Sequence, residues 1–345
     1  MEVGPNKAET TSGARGSTAR PLSIWVVSDG RTGIENQSLG LAEAVAELIP
    51  AQITRHHVAW TPAFDRLPSG LKHPAMLAKG RELLAGPDFP DLWIATGRAT
   101  LPLSVRIKAA SKGKTLVVQT QDPRWKTSAY DLIVAPEHDG VSGTNVLSIL
   151  GSPHRITPKR LAQEAPAFSA QIDPLPHPRV AIMMGGTSKA FDLTIDHALQ
   201  LADVMAETIE EVGGSVLVTF SRRTPLDAQI VMRQRLSSLP GLIWDGTGPN
   251  PLFAYLNSAD HVMVTEDSAN MATEAASTGK PVHILPMVPI KPQTKFKRLH
   301  DALNAQGASR PFEGKLEAWT YSPLKETERA ARAIVDALTA QGRAS

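Results

Sequence analysis

The feature that most limits how this chain can fold is a repeated alternation. A short run of β-branched and aliphatic residues leads into a cluster of glycine and polar residues, then a helical stretch, and the cycle begins again. Runs of four to seven residues are too short for buried helices. They read as strands covered on both faces, and the helical stretches between them make each connection a crossover, so the strands lie parallel. In the first half these runs are Leu22 to Ser28, Ile53 to Val58, Leu92 to Thr96, Thr115 to Gln119, Leu132 to Ala135 and Val146 to Ile149.

The alternation then breaks. Between Thr157 and Arg179 stand Pro158, Pro166, Pro174, Pro176 and Pro178 with no sustained period, the mark of a connector. Afterwards it restarts, with strands expected at Val180 to Met184, Val216 to Phe220, Leu242 to Trp244, His261 to Val264 and Val282 to Leu285. Helices are expected at Thr194 to Val212, Pro225 to Leu239, Pro251 to Ser258 and Ala269 to Thr278. Two cores suit 345 residues. The expected division is a disordered tail at 1–20, a first domain at 21–157, a linker at 158–179, a second domain at 180–323 and a C-terminal helix at 324–345. That helix carries Ala330, Ile334, Ala337 and Leu338 as one apolar stripe. The fold class is α/β: two Rossmann-like, doubly wound domains facing a cleft, with ligands expected at the carboxyl ends of the strands.

Composition removes several classes of function. Cysteine is absent, so no disulfide framework, thiolate metal site or thiol nucleophile exists. A formal charge of +2 and 5% aromatic residues offer neither the field nor the stacking platforms of a nucleic-acid binder. No apolar run reaches the roughly 20 residues of a membrane span. The first 20 residues, with Glu2 and Glu9 and no apolar stretch, do not read as a targeting peptide. Together these favour a cytoplasmic protein. Gly113-Lys-Thr115 lacks the earlier glycine of a phosphate-binding Walker loop, no H-E-x-x-H or G-x-S-x-G occurs, and His56 and His57 fall on opposite faces of a strand. No metal or other cofactor is expected.

Chemistry-bearing residues gather at strand ends. After the first strand comes Ser28-Asp-Gly-Arg-Thr-Gly-Ile-Glu-Asn-Gln37, a glycine loop without G-x-G-x-x-G spacing. It is either an ordinary β–α turn or a substrate-facing loop, and the crowd of Asp29, Glu35, Asn36 and Gln37 around Gly30 and Gly33 favours the second. Further ends give Thr96-Gly97-Arg98, Gln119-Thr-Gln121-Asp122-Pro-Arg124, Pro136-Glu-His138-Asp139 and Gly151-Ser-Pro-His-Arg155. In the second half, Met184-Gly185-Gly186-Thr187-Ser188 is a phosphate cradle or a tight turn, with the hydroxyls favouring the cradle. Ser221-Arg222-Arg223-Thr224 puts guanidiniums at the next strand end. Glu266-Asp-Ser268-Ala-Asn270-Met271 through Glu274 ends a buried strand and opens a helix, whose free N–H groups suit a phosphate while Glu274 suits ribose hydroxyls. Lys291, Lys295, Lys297 and Arg298 read as a basic loop, Met287 to Arg298, able to meet acidic headgroups or phosphates.

Those motifs together resemble the bacterial relatives of the mitochondrial-fission ELM1 family, itself similar to glycosyltransferase-B (GT-B) enzymes, over nearly the whole folded chain. The resemblance implies a nucleotide-sugar site in the second domain. Gly185, Gly186, Thr187, Ser188, Ser221, Arg222, Ser268, Asn270, Met271 and Glu274 would hold the donor, with Glu274 on the ribose and Ser268 to Met271 on the diphosphate. Gly30, Gly33, Glu35, Asn36, Gln37, Gly97, Arg98, Gln121, Arg124 and His138 would face the acceptor. Related loops often present a histidine as base; this one offers carboxylates, so Asp29 is the first candidate and Asp122 the second. The implied activity is metal-independent transfer of a sugar from a nucleoside-diphosphate donor to a cell-envelope lipid or polysaccharide, with a peripheral contact on the inner membrane face. Alternatives are a nucleotide-sugar epimerase, or a non-catalytic adaptor that recruits a partner protein to a membrane.

Overall fold

A computed structural model describes residues 20–86 and 88–343. The tail expected at 1–20 lies outside the described residues except for Arg20, which pairs with Asp91 at 2.7 Å. Counting only strands of the two large sheets, the first holds β1 (Leu22–Ser28), β2 (Ala51–His57), β3 (Leu92–Thr96), β4 (Leu116–Thr120), β5 (Leu132–Pro136) and β6 (Val146–Ile149), in the order β2-β1-β3-β4-β5-β6. Every pairing is parallel. The second holds β7 (Arg179–Met184), β8 (Ser215–Phe220), β9 (Gly241–Ile243), β10 (His261–Thr265), β11 (Val282–Leu285) and β12 (Ser309–Pro311), in the order β9-β8-β7-β10-β11-β12, again all parallel. Strands β3, β4 and β10 are buried at every residue, which is why their sequences show no alternation.

The helices of seven residues or more are α1 (Thr32–Leu48), α2 (Leu101–Ala110), α3 (Pro158–Glu164), α4 (Ile195–Glu211), α5 (Leu226–Leu236), α6 (Leu252–Ser258), α7 (Ala269–Ala276), α8 (Thr294–Ala305) and α9 (Glu326–Ala340). Helix α1 carries Gly40 in mid-helix at a cost of about 1 kcal/mol against alanine. A Cβ there would lie 2.2 Å from the carbonyl oxygen of His154, so close packing demands the glycine. Helix α9 does not join the domain that precedes it. Its Ala330, Ala331, Ile334 and Leu338 pack into the first core against Leu41, Val45 and Ile94, with Ala337 at the edge of the expected stripe.

Two expectations change. The proline-rich 158–179 segment is not a loose linker. Its Thr157 side chain caps α3, Leu161 enters the core formed by Ala181, Val262 and Ala272, and Ile172 packs on Leu217 and Tyr255. Pro158 and Pro166 sit where helices tolerate them, at first turns, while Pro174, Pro176 and Pro178 fall between the last short helix and β7. The expected basic loop, Met287 to Arg298, is overturned at its end: α8 begins at Thr294, so Lys295, Lys297 and Arg298 stand on its first turns. Pro289 and Pro292 together with the charge masked this helix, which buries only Leu299 and Leu303. Strand β12 was missed because it is three residues long and ends in proline. Among the described residues no helix is long and apolar enough to cross a membrane.

Candidate functional site

The carboxyl ends of both sheets meet at a cleft that holds a cavity of about 370 Å³. Its first-domain wall comprises Gly97, Arg98, Gln121, Asp122, Arg124, His138 and Asp139, from the loops after β3, β4 and β5. Its second-domain wall comprises Asp267, Ser268, Ala269 and Asn270 at the start of α7, with Lys295 and Phe296 of α8. Asp139 and Lys295 form an ion pair across the cleft.

The loop after β4 is held in an uncommon conformation. Gln121, Arg124 and Lys126 have φ of 67°, 51° and 48°, left-handed values that cost a non-glycine residue about 1 kcal/mol or more each. The cost is borne by contacts that fix the loop. Asp122 accepts from the Arg124 amide at 2.8 Å and lies 3.4 Å from its guanidinium. Gln121 Nε2 donates to Gln37 Oε1 at 3.0 Å, Gln37 Nε2 donates to Asn270 Oδ1 at 3.1 Å, and Asn270 Nδ2 donates to the Gly33 carbonyl at 3.0 Å. This chain of amides ties the strained loop and α1 to the first turn of α7 across the cleft. Gln37 thus acts behind the cavity wall, while Gln121 and Asn270 also line it.

Helix α7 opens with Ser268, whose hydroxyl accepts from the Met271 amide at 3.4 Å. The amides of Ala269 and Asn270 precede the first intrahelical bond, and both residues line the cavity. Glu274 lies further along α7 and outside the cavity lining. Its carboxyl is half-buried, has no hydrogen-bond partner among the described residues, and is pushed up to about 7 by burial.

The Gly185–Ser188 turn lies beneath this terminus. The Gly185 amide donates to Thr265 Oγ1 at 2.8 Å and the Gly186 amide to Asp267 Oδ2 at 3.2 Å. Thr187 donates to Asp192, and Ser188 Oγ accepts from the amides of Ala190 and Phe191. The Gly185 and Gly186 amides and the Thr187 hydroxyl of the expected cradle are therefore engaged within the protein. A Cβ on Gly185 would sit 1.9 Å from Asp267 Oδ1, and one on Gly186 2.1 Å from the Arg223 carbonyl oxygen, so the paired glycines serve close packing. Asp267 is fully buried and ion-paired to Arg223 at 2.6 Å. Arg222 is exposed and makes no ion pair or hydrogen bond among the described residues, while Ser221 bonds Thr224 at 3.2 Å. Arg223, not the expected Arg222, is therefore the arginine with a buried partner. Two arginines in sequence give no sign of which one turns inward.

On the first-domain side, Asp29 is outside the cavity lining and holds Arg31 at 2.7 Å. Gly30 takes φ 78° beside His57, and Gly33 abuts Asn270. Glu35 is buried and bonded to Arg55 at 2.7 Å and His57 at 3.1 Å. Burial raises its carboxyl, but those two partners outweigh it and hold the group below the usual range. Glu35 thus braces β2 against α1. Asn36 is half-buried and does not line the cavity. His138 does line it; burial, aided by Lys295 and His300, pushes its imidazole down to about 4 against the pull of Asp139, and its Nδ1 has no partner.

Gly151-Ser-Pro-His-Arg155 forms the passage between domains. Gly151, at φ 82°, lies so close to α7 that a Cβ would fall 2.1 Å from Thr273 Oγ1. His154 is buried, bonds Ser277 at 2.7 Å, and accepts the Ile156 amide on Nδ1 at 3.2 Å. Nε2 therefore carries the proton, and burial pushes the ring down to about 4. Arg155 clamps Glu43 through two nitrogens. Ser152 is the member of this motif that reaches the cavity.

Comparison with known proteins bears on the fold and the family. The mitochondrial fission protein ELM1 of Arabidopsis thaliana is 30% identical over 282 residues, covering 74% of this chain and 65% of its own, so the chain spans about two thirds of that relative. Among solved structures, UDP-GlcNAc 2-epimerase of Methanocaldococcus jannaschii in complex with UDP-GlcNAc and UDP matches with a TM-score of 0.53 at 13% identity, over 92% of this chain and 100% of that one. Os79 of O. sativa in complex with U2F and trichothecene matches at 0.51 and 13%, over 93% and 92%. These structural likenesses show the fold, two Rossmann-like domains of the GT-B type. The profile described as mitochondrial fission ELM1 matches residues 32–338, and the chain belongs to that family.

Proposed function

We propose that the protein is a glycosyltransferase that takes a sugar from a nucleoside-diphosphate donor. The observation that carries this reading is the start of α7: free amides at Ala269 and Asn270 open into an interdomain cavity whose opposite wall carries a carboxylate, Asp122. Such a terminus suits a diphosphate because its N–H groups and dipole favour an anion. The solved relatives of the same fold hold UDP-GlcNAc and UDP in one case and U2F in the other.

In this reading the diphosphate lies at Ser268–Asn270, and Glu274, which has no partner of its own, accepts from the ribose hydroxyls. An acceptor hydroxyl attacks the anomeric carbon as the bond from that carbon to the diphosphate oxygen breaks. Its proton passes to Asp122, the candidate base that lines the cavity; Asp29, outside that lining, is less well placed. The nucleoside diphosphate departs with its charge met by the α7 amides, so the reading invokes no metal. The acceptor expected is an envelope lipid or glycan reached from the cytoplasmic side.

The test is thermal unfolding of the purified protein with a panel of nucleoside diphosphates and their sugars, repeated with Glu274→Ala. A ligand at 100 times its dissociation constant adds about 2.7 kcal/mol. A shift for one nucleotide class that is lost in the variant supports the donor site. No shift with any of them overturns this reading and leaves the adaptor role.

A further inference from the structure

The cavity has a second positive pole. Asp139 is matched by Lys295, Asp267 by Arg223 and Asp122 by Arg124, while His138 is held neutral. Arg98 alone among the charged lining residues makes no ion pair or hydrogen bond among the described residues. Its placement follows from sheet register. Thr96 pairs with Thr120 on adjacent strands, so Arg98, two residues past β3, stands level with Asp122, two residues past β4. Arg124 follows on the same rim, in the strained loop that the amide chain holds. The guanidinium without a partner and the candidate base therefore share one wall, facing the α7 terminus across the cleft.

We propose that the acceptor carries a phosphate group, and that Arg98 binds it. This rests on the glycosyltransferase reading. The donor diphosphate has its own pole at α7, so an anion drawn to the opposite wall beside Asp122 belongs to the molecule whose hydroxyl Asp122 deprotonates. A guanidinium fork that no carboxylate holds suits phosphate oxygens better than a neutral sugar.

The test is calorimetric titration of inorganic phosphate into the full-length protein, free and saturated with the nucleotide that stabilises it most, for the wild type and Arg98→Gln. The proposal expects phosphate to bind alongside nucleotide, and Arg98→Gln to weaken phosphate at least tenfold while changing nucleotide affinity less than twofold. Because Arg98 is exposed and makes no ion pair or hydrogen bond among the described residues, the variant's thermal midpoint without ligand should match the wild type, which separates lost binding from lost folding. Competition between phosphate and nucleotide, or equal weakening of both by the variant, would overturn the proposal by making Arg98 part of the donor site. If no nucleotide binds, the donor reading fails on its own, and phosphate binding to the free protein still decides: dependence on Arg98 sustains the anion site, and its absence ends it. Glucose 6-phosphate and a short prenyl phosphate in detergent then separate a soluble phosphorylated glycan from a lipid-linked one.

Discussion

Glu274→Gln should make the protein more stable at neutral and alkaline pH and leave it unchanged in acid. The carboxyl stands at about 7 in the folded protein, against 4.5 for an ordinary glutamate, because burial penalises its charge and no partner offsets that. Below pH 4.5 the group is protonated in both the folded and unfolded chain, so the substitution is neutral. Between pH 4.5 and about 7 the unfolded chain releases the proton and the folded one keeps it, so each pH unit costs the wild type up to about 1.36 kcal/mol. Above about 7 the loss is complete, with a ceiling of about 3.4 kcal/mol. The side chain is half-buried and partly screened by water, which reduces the expected gain to roughly 1–2 kcal/mol. For a chain of this size that is a rise of about 1–3 °C in the unfolding midpoint at pH 8. The assay is thermal unfolding of both proteins from pH 4 to 8.5. A gain that does not depend on pH, or a loss at pH 8, would refute the account of Glu274 as a carboxylate without a partner. A stabilising change that also removes nucleotide binding would mark the cost as one the site requires.

Other outcomes follow from the same contacts. Arg223→Ala strands the buried Asp267 carboxylate and should cost about 2 kcal/mol or more in urea unfolding, with Asp267→Asn costing less because an amide needs no counter-charge. Gln37→Leu removes the central link of the amide chain and leaves polar groups on Gln121 and Asn270 unpaired. A loss of about 1–3 kcal/mol is expected, and a double-mutant cycle with Asn270→Ala should show coupling of about 0.5 kcal/mol or more. Acid should loosen the protein well above the carboxylate range. His138, His154 and His283 are all pushed down to about 4 chiefly by burial, so their share of the stability is full above pH 6.5 and falls as pH drops through the window to 4, where the unfolded chain binds protons that the folded one refuses. Circular dichroism across that window checks it.

Most strand positions and the cleft could be anticipated because parallel, doubly buried strands leave compact apolar runs and polar ends, and both survive in the sequence. Arg98, Gln121, Asp122, Arg124, His138, Ser268 and Asn270 were found by the rule that ligands meet strand carboxyl ends, and all line the cavity. The rule cannot tell a side chain that faces the cavity from one that braces a neighbour. Glu35 and Asp29 look alike in sequence to Asp122, yet Arg55, His57 and Arg31 hold them. The Gly185-Gly186 pair reads the same whether the missing side chains leave room for a phosphate or for Asp267. The role of Asp267 is not legible in the sequence, since a buried ion pair with a residue 44 positions away has no local trace. Helix α8 failed for another reason: it buries so little that its apolar period is faint, and i,i+4 pairing of Lys297 with Asp301 contributes what packing does not.

The return of α9 to the first core bears on how the protein is made. A ribosome completes the six strands of the first sheet long before it reaches Ala330, Ile334 and Leu338, which that core needs. At about 5–20 residues per second the interval is roughly 10–40 s. For that time the apolar flank of α1 around Leu41 and Val45 is uncovered, while the second half emerges and can close around its own centre. The half synthesised first is thus the half finished last. Early exposure to aggregation and to chaperones should therefore fall on the first domain.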